Sequence, residues 1–448
     1  MRFDVIPFAD LDAQLSKSAR KTKRVSKPAE GRGYRWADVY PVPPTAKASK
    51  FQGCIHLVSK AKTHCEYVMV YRTSYLKGKK RRSQPRTWNA RKKKFQGIWD
   101  SQFDGWWDGT GMARLRIAAN GRITVLSDSV AETGDHLEDS RLVSWNGKMF
   151  IQYSDLFSVW ETYDVPESTV NPRFKERCVW GGKGNCFSIG MVPVKLTKKG
   201  GFKHSGPAKL VCQDKTTPTE KNWAFIEGPK QKEMVFQYSF APLKFLASTP
   251  GPNGPVSCGE IYPKKSTFFA RLHKYYGSDV IPHQSVSGIA CTTPLVPFDK
   301  NYYIGAGHIK VSYKYLKPKS RKPIHKFIRE VQARLGMEGV HPNDWSKQSK
   351  DIHPGYVYTM FFYTIHRRTY ELGKISDAFT PQSKDLGYFN TIVFPMSMQP
   401  FVGQKYAISM GIADTDTAIL TASKRELRKL MIHSNTSAPS NFNFYLRD

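Results

Sequence analysis

The sequence predicts an all-β fold. Three observations carry this: period-two apolar runs along most of the chain, Asn-Gly turns between two pairs of those runs, and only two stretches with helical periodicity. The apolar alternation matters because successive strand side chains point to opposite faces. Evenly repeated hairpins of this kind suit a propeller or a sandwich, although no strict sequence repeat is visible.

The strands follow in order. MARLRI, from Met112, is followed by Asn120-Gly121 and then RITVL. RLVSW, from Arg141, is followed by Asn146-Gly147 and then KMFIQY. Asn-Gly favours a tight hairpin because both turn residues must accept positive φ. WAFIEG pairs in pattern with EMVFQYSF, and TPLVPF leads through Asp299-Lys300 into NYYIGAGHIKVSY. GYVYTMFFYTIHR, NTIVFPMSM and KYAISMGIAD complete the set. The first predicted helix is Ile324 to Leu335, with Ile324, Phe327, Ile328, Val331 and Leu335 on one face, Pro323 at its start and Gly336 at its end. The second opens at Ser423, with Glu426 three residues on, which is a capping box. Both read as peripheral packing helices.

Composition bounds the function. The chain has 448 residues, 40% hydrophobic and 13% aromatic, which supplies a core and excludes a largely disordered chain. Residues 1–45 read as a basic, partly extended arm closed by Pro41-Val42-Pro43-Pro44, residues 46–432 as the β domain, and residues 433–448 as a tail. Lys plus Arg is 69 against 37 for Asp plus Glu, a net charge of +32. Such a surplus points to nucleic acid, anionic membranes or phosphate-bearing ligands. Residues 75–94 contain no acid and could meet an anionic ligand or membrane surface, or be a solvated basic loop. No RNA-recognition or zinc-finger pattern accompanies them, so nucleic acid is the lesser expectation.

Seven cysteines are scattered without a CxxC pair, so buried free thiols and a reducing, cytoplasmic setting are expected; Cys178 and Cys186 could approach across a Gly-rich turn. No apolar h-region or membrane span is visible, and the sequon at Asn435 reads as a chance match.

Four motifs could carry chemistry. In His136-Leu137-Glu138-Asp139-Ser140-Arg141 an acid beside a base could be tuned for proton transfer, or could form a plain loop ion pair. In Glu220-Lys221-Asn222-Trp223, Lys221 offers charge for phosphate or carboxylate, and Asn222 can donate and accept to a sugar hydroxyl. Trp223 could stack on a pyranose or pack in the core. In Ile304-Gly305-Ala306-Gly307-His308 the glycines permit close approach of backbone or ligand, and His308 is a ligand-binding candidate at a strand end. Asp414 and Asp416 lie between two strand-like runs and could bind a cation or sugar hydroxyls, or form a polar turn. No P-loop, GxSxG elbow, HExxH helix or zinc-ligand spacing occurs.

The order of the motifs is more informative than any one of them. An acidic EDxR step enters a hairpin with an NGK turn. It is followed by KNW with Tyr238-Ser239-Phe240-Ala241-Pro242, a strand ending in Gly-x-Gly-His, and an IS-x-G-x-x-D strand near the C-terminal helix. This resembles the five-bladed β-propeller β-mannoside phosphorylases and β-1,2-mannosyltransferases, over about residues 95 to 432. The resemblance implies a five-bladed propeller whose EDPR-like segment lies at the mouth of a central cavity. Asp139 would be the general acid or base. Arg141 and Lys221 would bind phosphate, and Asn222 and His308 would contact sugar or phosphate. Glu138, Trp223 and Asp414 complete the implied substrate site.

The implied chemistry is single-displacement transfer from a phosphate-activated donor, a nucleotide sugar or sugar 1-phosphate, to a glycan hydroxyl, with no metal required. A β-mannoside phosphorylase is a further expectation. Ser140 stands where the family has Pro. The basic loop, the N-terminal arm and the insertions around 165–215 and 335–385 have no counterpart. The alternative is a propeller without catalysis, a structural or binding module in a large assembly, viral or other. Convergence of Asp139, Arg141, Lys221 and His308 on one cavity would favour the enzyme, and side chains plugging the site would favour the module.

Overall fold

The computed structural model describes residues 1–6, 48–75, 87–89, 94–96, 107–130, 137–155, 188–197, 202–205, 209–212, 222–227, 232–248, 258–277, 280–281, 288–312, 316–334, 356–382, 392–412 and 416–447. The chain is mostly β, with sheets in a propeller-like arrangement. The N-terminal strand β1 is Arg2–Val5. The first sheet contains β2 (Ala48–Lys60) and β3 (His64–Tyr75). After a two-stranded ribbon, β4 (Thr87–Asn89) and β5 (Lys94–Gln96), it continues with β6 (Trp107–Ala118) and β7 (Ile123–Val130).

The second sheet contains β8 (Leu137–Trp145), β9 (Lys148–Asp155), β10 (Ser188–Leu196), β11 (Phe202–His204) and β12 (Lys209–Leu210). The third contains β13 (Ala224–Phe225), β14 (Met234–Phe240), β15 (Leu243–Ser248) and β16 (Gly259–Ile261). The fourth contains β17 (Ile289–Cys291), β18 (Val296–Pro297), β19 (Tyr302–Ser312), β20 (Tyr356–His366), β21 (Leu372–Ile375) and β22 (Ala378–Pro381). The fifth contains β23 (Val393–Phe401), β24 (Lys405–Ile412) and β25 (Asp416–Ser423).

Both ends of the chain enter sheets. β1 pairs antiparallel with β25, from Arg2 opposite Thr421 to Val5 opposite Ala418. The C-terminal residues, expected as a tail, add β26 (His433–Ser434) and β27 (Phe444–Arg447) to the fourth sheet, making it eight-stranded. Phe442 and Phe444 are buried, so apolar burial holds this segment in place.

Apolar alternation explains how the sheets stack. In β20, Val357, Phe361, Tyr363 and Ile365 enter the core layer shared with the third sheet, whereas Met360 and Phe362 enter the layer shared with the fifth. In β3, Val68 and Val70 face the second sheet, and Tyr67, Met69 and Tyr71 face the fifth. A fifth layer, with Val143, Ile189, Trp223 and Phe236, lies between the second and third sheets. Core therefore lies between each sheet and the next, and again between the last and the first. Strands buried on both faces read as nearly continuous apolar runs.

Polar stitches join the first and last sheets. The Ile55 amide donates to Ser397 Oγ at 2.8 Å, and Ser397 and Ser409 share a hydroxyl contact of 2.6 Å. A Cβ on Gly411 would lie 3.1 Å from the backbone of Gln52, so that glycine allows the two sheets to close.

Of the two Asn-Gly turns, Asn146 and Gly147 both have positive φ, +48° and +74°. At the other, Gly121 alone does, at +87°, and Asn120 Oδ1 instead accepts from the Arg122 amide at 3.0 Å. Three α-helices occur among the described residues: α1 (Phe268–Tyr276), α2 (Pro323–Arg334) and α3 (Lys424–Leu430). The capping box of α3 forms as expected, with Ser423 Oγ accepting from the Glu426 amide and Glu426 accepting from the Ser423 amide. Helix α1 was not legible, because Thr267 at its start makes no side-chain cap. Its first amides, Thr267 and Phe268, instead donate to Asn435 Oδ1 at 2.7 and 3.0 Å. Asn435, part of the sequon, is thus a helix cap supplied from across the fold.

Cys54, Cys65 and Cys291 are buried free thiols, as expected. Cys212 and Cys258 correct that expectation: they form a disulfide joining the second and third sheets. Their segments are 46 residues apart in sequence, and sheet packing alone brings them together. Cys178 and Cys186 lie outside the described residues. No helix among the described residues is long and apolar enough to cross a membrane.

Candidate functional site

The candidate site forms where the inner strands β2, β8 and β23 pack together beside the entry to β13. Three inner segments there carry a non-glycine residue with positive φ: Gln52 at +53°, Asp139 at +53° and Asn222 at +64°. Left-handed backbone is disfavoured for residues with a Cβ and persists where the surroundings fix it. In β2 and β8 it accompanies a break in register, between Phe51 and Cys54 and between Glu138 and Arg141. Each bulge re-aims the side chains that follow it.

Arg141 is the centre of the group. Its side chain is buried, and Nη1 donates to the Trp223 carbonyl at 3.4 Å while Nη2 donates to Asn222 Oδ1 at 3.5 Å. Burial pulls its pKa down, and the Asp139 carboxylate pushes it back up, followed by the thiols of Cys54 and Cys291. Guanidinium remains a cation even so. Nε has no hydrogen-bond partner among the described residues. Asp139 lies two residues earlier on the same strand and is 6% exposed. Cys54 and Cys291 are both pushed up to about 12, chiefly by burial. Cys291 Sγ donates to the Asn222 carbonyl at 2.9 Å.

His308 is fully buried, with its ring 5.4 Å from that of Tyr358 and 5.0 Å from that of Phe394. Burial lowers its pKa to about 3, and the positive charges of Lys310 and Arg141 add to the shift. It is therefore a neutral imidazole at neutral pH, and neither ring nitrogen has a hydrogen-bond partner among the described residues.

The structure brings Asp139, Arg141, Asn222 and His308 into one buried electrostatic group. Two details differ from expectation, the place of Trp223 and that of His308. The Trp223 indole is 0% exposed and lies 5.3 Å from the Tyr238 ring and 5.9 Å from that of Phe236. It is core rather than a sugar platform, and only its carbonyl reaches Arg141. His308 sits inside the unbroken β19, opposite Met360, rather than at a strand end. Gly307 accommodates the Phe361 ring and the Ala290 carbonyl, which a Cβ would meet at 2.6 and 2.7 Å, so protein fills that space. Glu138 lies on β8 opposite Ser154, and nothing further of its side chain is described. Lys221, Asp414 and His136 lie outside the described residues, as does most of the basic segment 75–94.

Sequence reasoning missed Cys54, Cys291 and a second polar group. There Glu227, from the third sheet, accepts from Gln399 Nε2 of the fifth at 3.1 Å and lies 3.6 Å from His56 Nδ1 of the first. No local pattern marks these residues, because each comes from a different sheet. Among the described residues, no cluster of three or more His, Cys, Asp or Glu could hold a metal.

No family model and no curated protein matches the chain. Solved structures similar to it at low identity include the following three. A β-1,2-mannobiose phosphorylase from Listeria innocua, in complex with β-1,2-mannobiose, is 10% identical, with a TM-score of 0.44 over 88% of this chain and 95% of that one. A GDP-Man-dependent mannosyltransferase from Leishmania mexicana is 12% identical, with a TM-score of 0.41 over 85% of each chain. A mannose phosphorylase from Leishmania mexicana, in complex with phosphate ion, is 9% identical, with a TM-score of 0.40 over 96% and 97%.

Proposed function

We propose that the chain is a five-bladed propeller enzyme that transfers a sugar from a phosphate-activated donor to a glycan hydroxyl by single displacement. The observation that carries this reading is the meeting of Asp139, Arg141 and Asn222 where the inner strands converge, with His308 buried within reach of the Arg141 charge. The five blades rest on five sheets of four or more strands with core between each successive pair.

The donor is a nucleotide sugar or a sugar 1-phosphate. The acceptor oxygen attacks the anomeric carbon as Asp139 takes its proton. The bond from that carbon to the phosphate oxygen breaks, and the phosphate leaves with the electron pair. Arg141, through its unpartnered Nε, and Lys221 supply positive charge to the leaving phosphate. His308 and Asn222 hold sugar hydroxyls, and Glu138 and Asp414 are assigned to substrate contact. With inorganic phosphate as nucleophile on a β-mannoside, the glycosidic C–O bond breaks and Asp139 gives its proton to the departing sugar oxygen, which describes a β-mannoside phosphorylase.

A second reading has its own observation. Arg141, Asn222 and His308 are 1%, 3% and 0% exposed. A site this enclosed favours a propeller without catalysis, serving as a structural or binding module. A screen of nucleotide sugars and sugar 1-phosphates, for transfer and for phosphorolysis, separates the two. Turnover that disappears in a folded Asp139→Asn variant supports the enzyme. Absence of turnover with every donor in folded wild type supports the module.

A further inference from the structure

We propose that helix α2 and the turn leading into it form a binding surface for the phosphate backbone of a nucleic-acid duplex. This surface is separate from residues 75–94 and independent of the sugar-transfer reading. Lys274, Lys317, Lys319, Arg321, Lys326 and Arg334 are exposed there. Glu330 is the one acid within the described residues 268–277 and 316–334. The solvent stripe of α2 is Lys326, Glu330 and Arg334, spaced four residues apart, opposite the buried stripe of Ile324, Phe327, Ile328 and Val331. The helix is about 18 Å long, roughly five base-pair steps of a duplex.

The cations are mounted on a rigid base. Arg329 Nη1 donates to the carbonyls of Pro318 and Ser320 at 2.9 and 3.0 Å, which clamps the turn onto the helix. The Lys317 amide donates to His325 Nδ1 at 3.3 Å. Lys322 Nζ donates to the Tyr275 carbonyl at 2.8 Å and lies 4.1 Å from the centre of its ring, tying α2 to the end of α1. Lys322 and Arg329 thereby hold the scaffold, while Lys317, Lys319 and Arg321 are left to face solvent. The field is already felt inside the protein: burial lowers the pKa of His325, and Lys317, Lys322 and Arg329 lower it further.

A phosphate backbone fits this surface better than a bilayer does. The exposed large apolar residues among the described residues are Val58, Leu126, Tyr262 and Ile432, and none lies on α2 or its turn. Peripheral membrane helices add buried apolar area to their charge. A rigid cationic surface without an apolar anchor has the means for counterion release alone.

The test is anisotropy titration of a fluorescent mixed-sequence duplex over a range of salt concentrations. The full chain is compared with a Lys317→Gln, Lys319→Gln, Arg321→Gln variant. A Lys62→Gln, Lys148→Gln, Lys405→Gln variant removes equal charge from exposed positions elsewhere. Circular dichroism establishes that all three proteins are folded. The expected result is a log K against log salt slope smaller by about 2 to 3 in the first variant alone. Equal slopes in the two variants, or a wild type that does not bind duplex, would overturn the proposal. So would a loss confined to phosphatidylserine vesicles with duplex binding intact.

Discussion

Arg141 and Asn222 lie 81 residues apart in sequence, and the guanidinium of one donates to the side-chain oxygen of the other in the interior of the protein. The link crosses from the second sheet to the third and depends on the left-handed backbone at Asn222, at φ +64°. Asn222→Gly keeps that backbone and removes the oxygen. Asn222→Ala removes the oxygen and adds left-handed strain. We expect the Gly variant to lose about 1–3 kcal/mol and the Ala variant about 1–2 kcal/mol more, read as urea unfolding free energies. Equal losses would mean that the surroundings do not enforce the backbone.

His308 gives the protein an acid-sensitive core. Its folded pKa of about 3 lies below the ordinary imidazole value of 6.5. The unfolded chain therefore binds a proton that the folded chain refuses. The associated stability is complete above pH 6.5 and is lost as pH falls toward 3. At pH 4.5 the loss is about 2–3 kcal/mol. In His308→Gln, this part of the difference between unfolding free energies at pH 7 and pH 4.5 should vanish. An unchanged pH dependence would show that His308 is not the group responsible.

The Cys212–Cys258 disulfide closes a long loop between two sheets. Chain-entropy reasoning for a separation of 46 residues gives about 4 kcal/mol. Cys212→Ala should lower the thermal midpoint by several degrees, with dithiothreitol reducing wild type toward the same value. A variant as stable as oxidised wild type would contradict this.

Asn435→Ala should cost about 1–2 kcal/mol, because it leaves the first amides of α1 without their acceptor. Asn435→Asp, which retains an acceptor, should recover most of the loss. Hydrogen exchange at Phe268 reads the effect locally, and unchanged protection in the Ala variant would exclude the cap.

Free thiols should follow burial. Cys54 and Cys291 should escape alkylation by iodoacetamide at pH 8 in the native protein and react in urea, as read by peptide mass mapping. Their pKa values of about 12 leave almost no thiolate at that pH. Native labelling at either residue would place it in contact with solvent.

Much of the fold was legible. The runs at 112–117, 141–145, 302–312, 356–366 and 405–412 are strands because their apolar residues feed two core layers at once. Helix α2 was legible from its apolar stripe, and α3 from its capping box, since both signals are complete within a few residues. Helix α1 was hidden because its cap comes from Asn435. The C-terminal segment was hidden because its burial depends on the fourth sheet.

The candidate site divided along the same line. Asp139, Arg141 and Asn222 were legible as local clusters of acid, base and amide. Trp223 was ambiguous, because an indole suits a sugar face and a core equally well, and only the neighbouring Phe236 and Tyr238 decided for the core. The sequence by itself determined which segments are strands, where two of the three described helices lie, and which short motifs hold charge. Tertiary structure decided which of those motifs meet, that Cys212 reaches Cys258, and that His308 is a buried, neutral imidazole. The reason is physical: periodicity and capping act over a few residues, whereas burial and sheet-to-sheet contact exist only after distant segments have packed together.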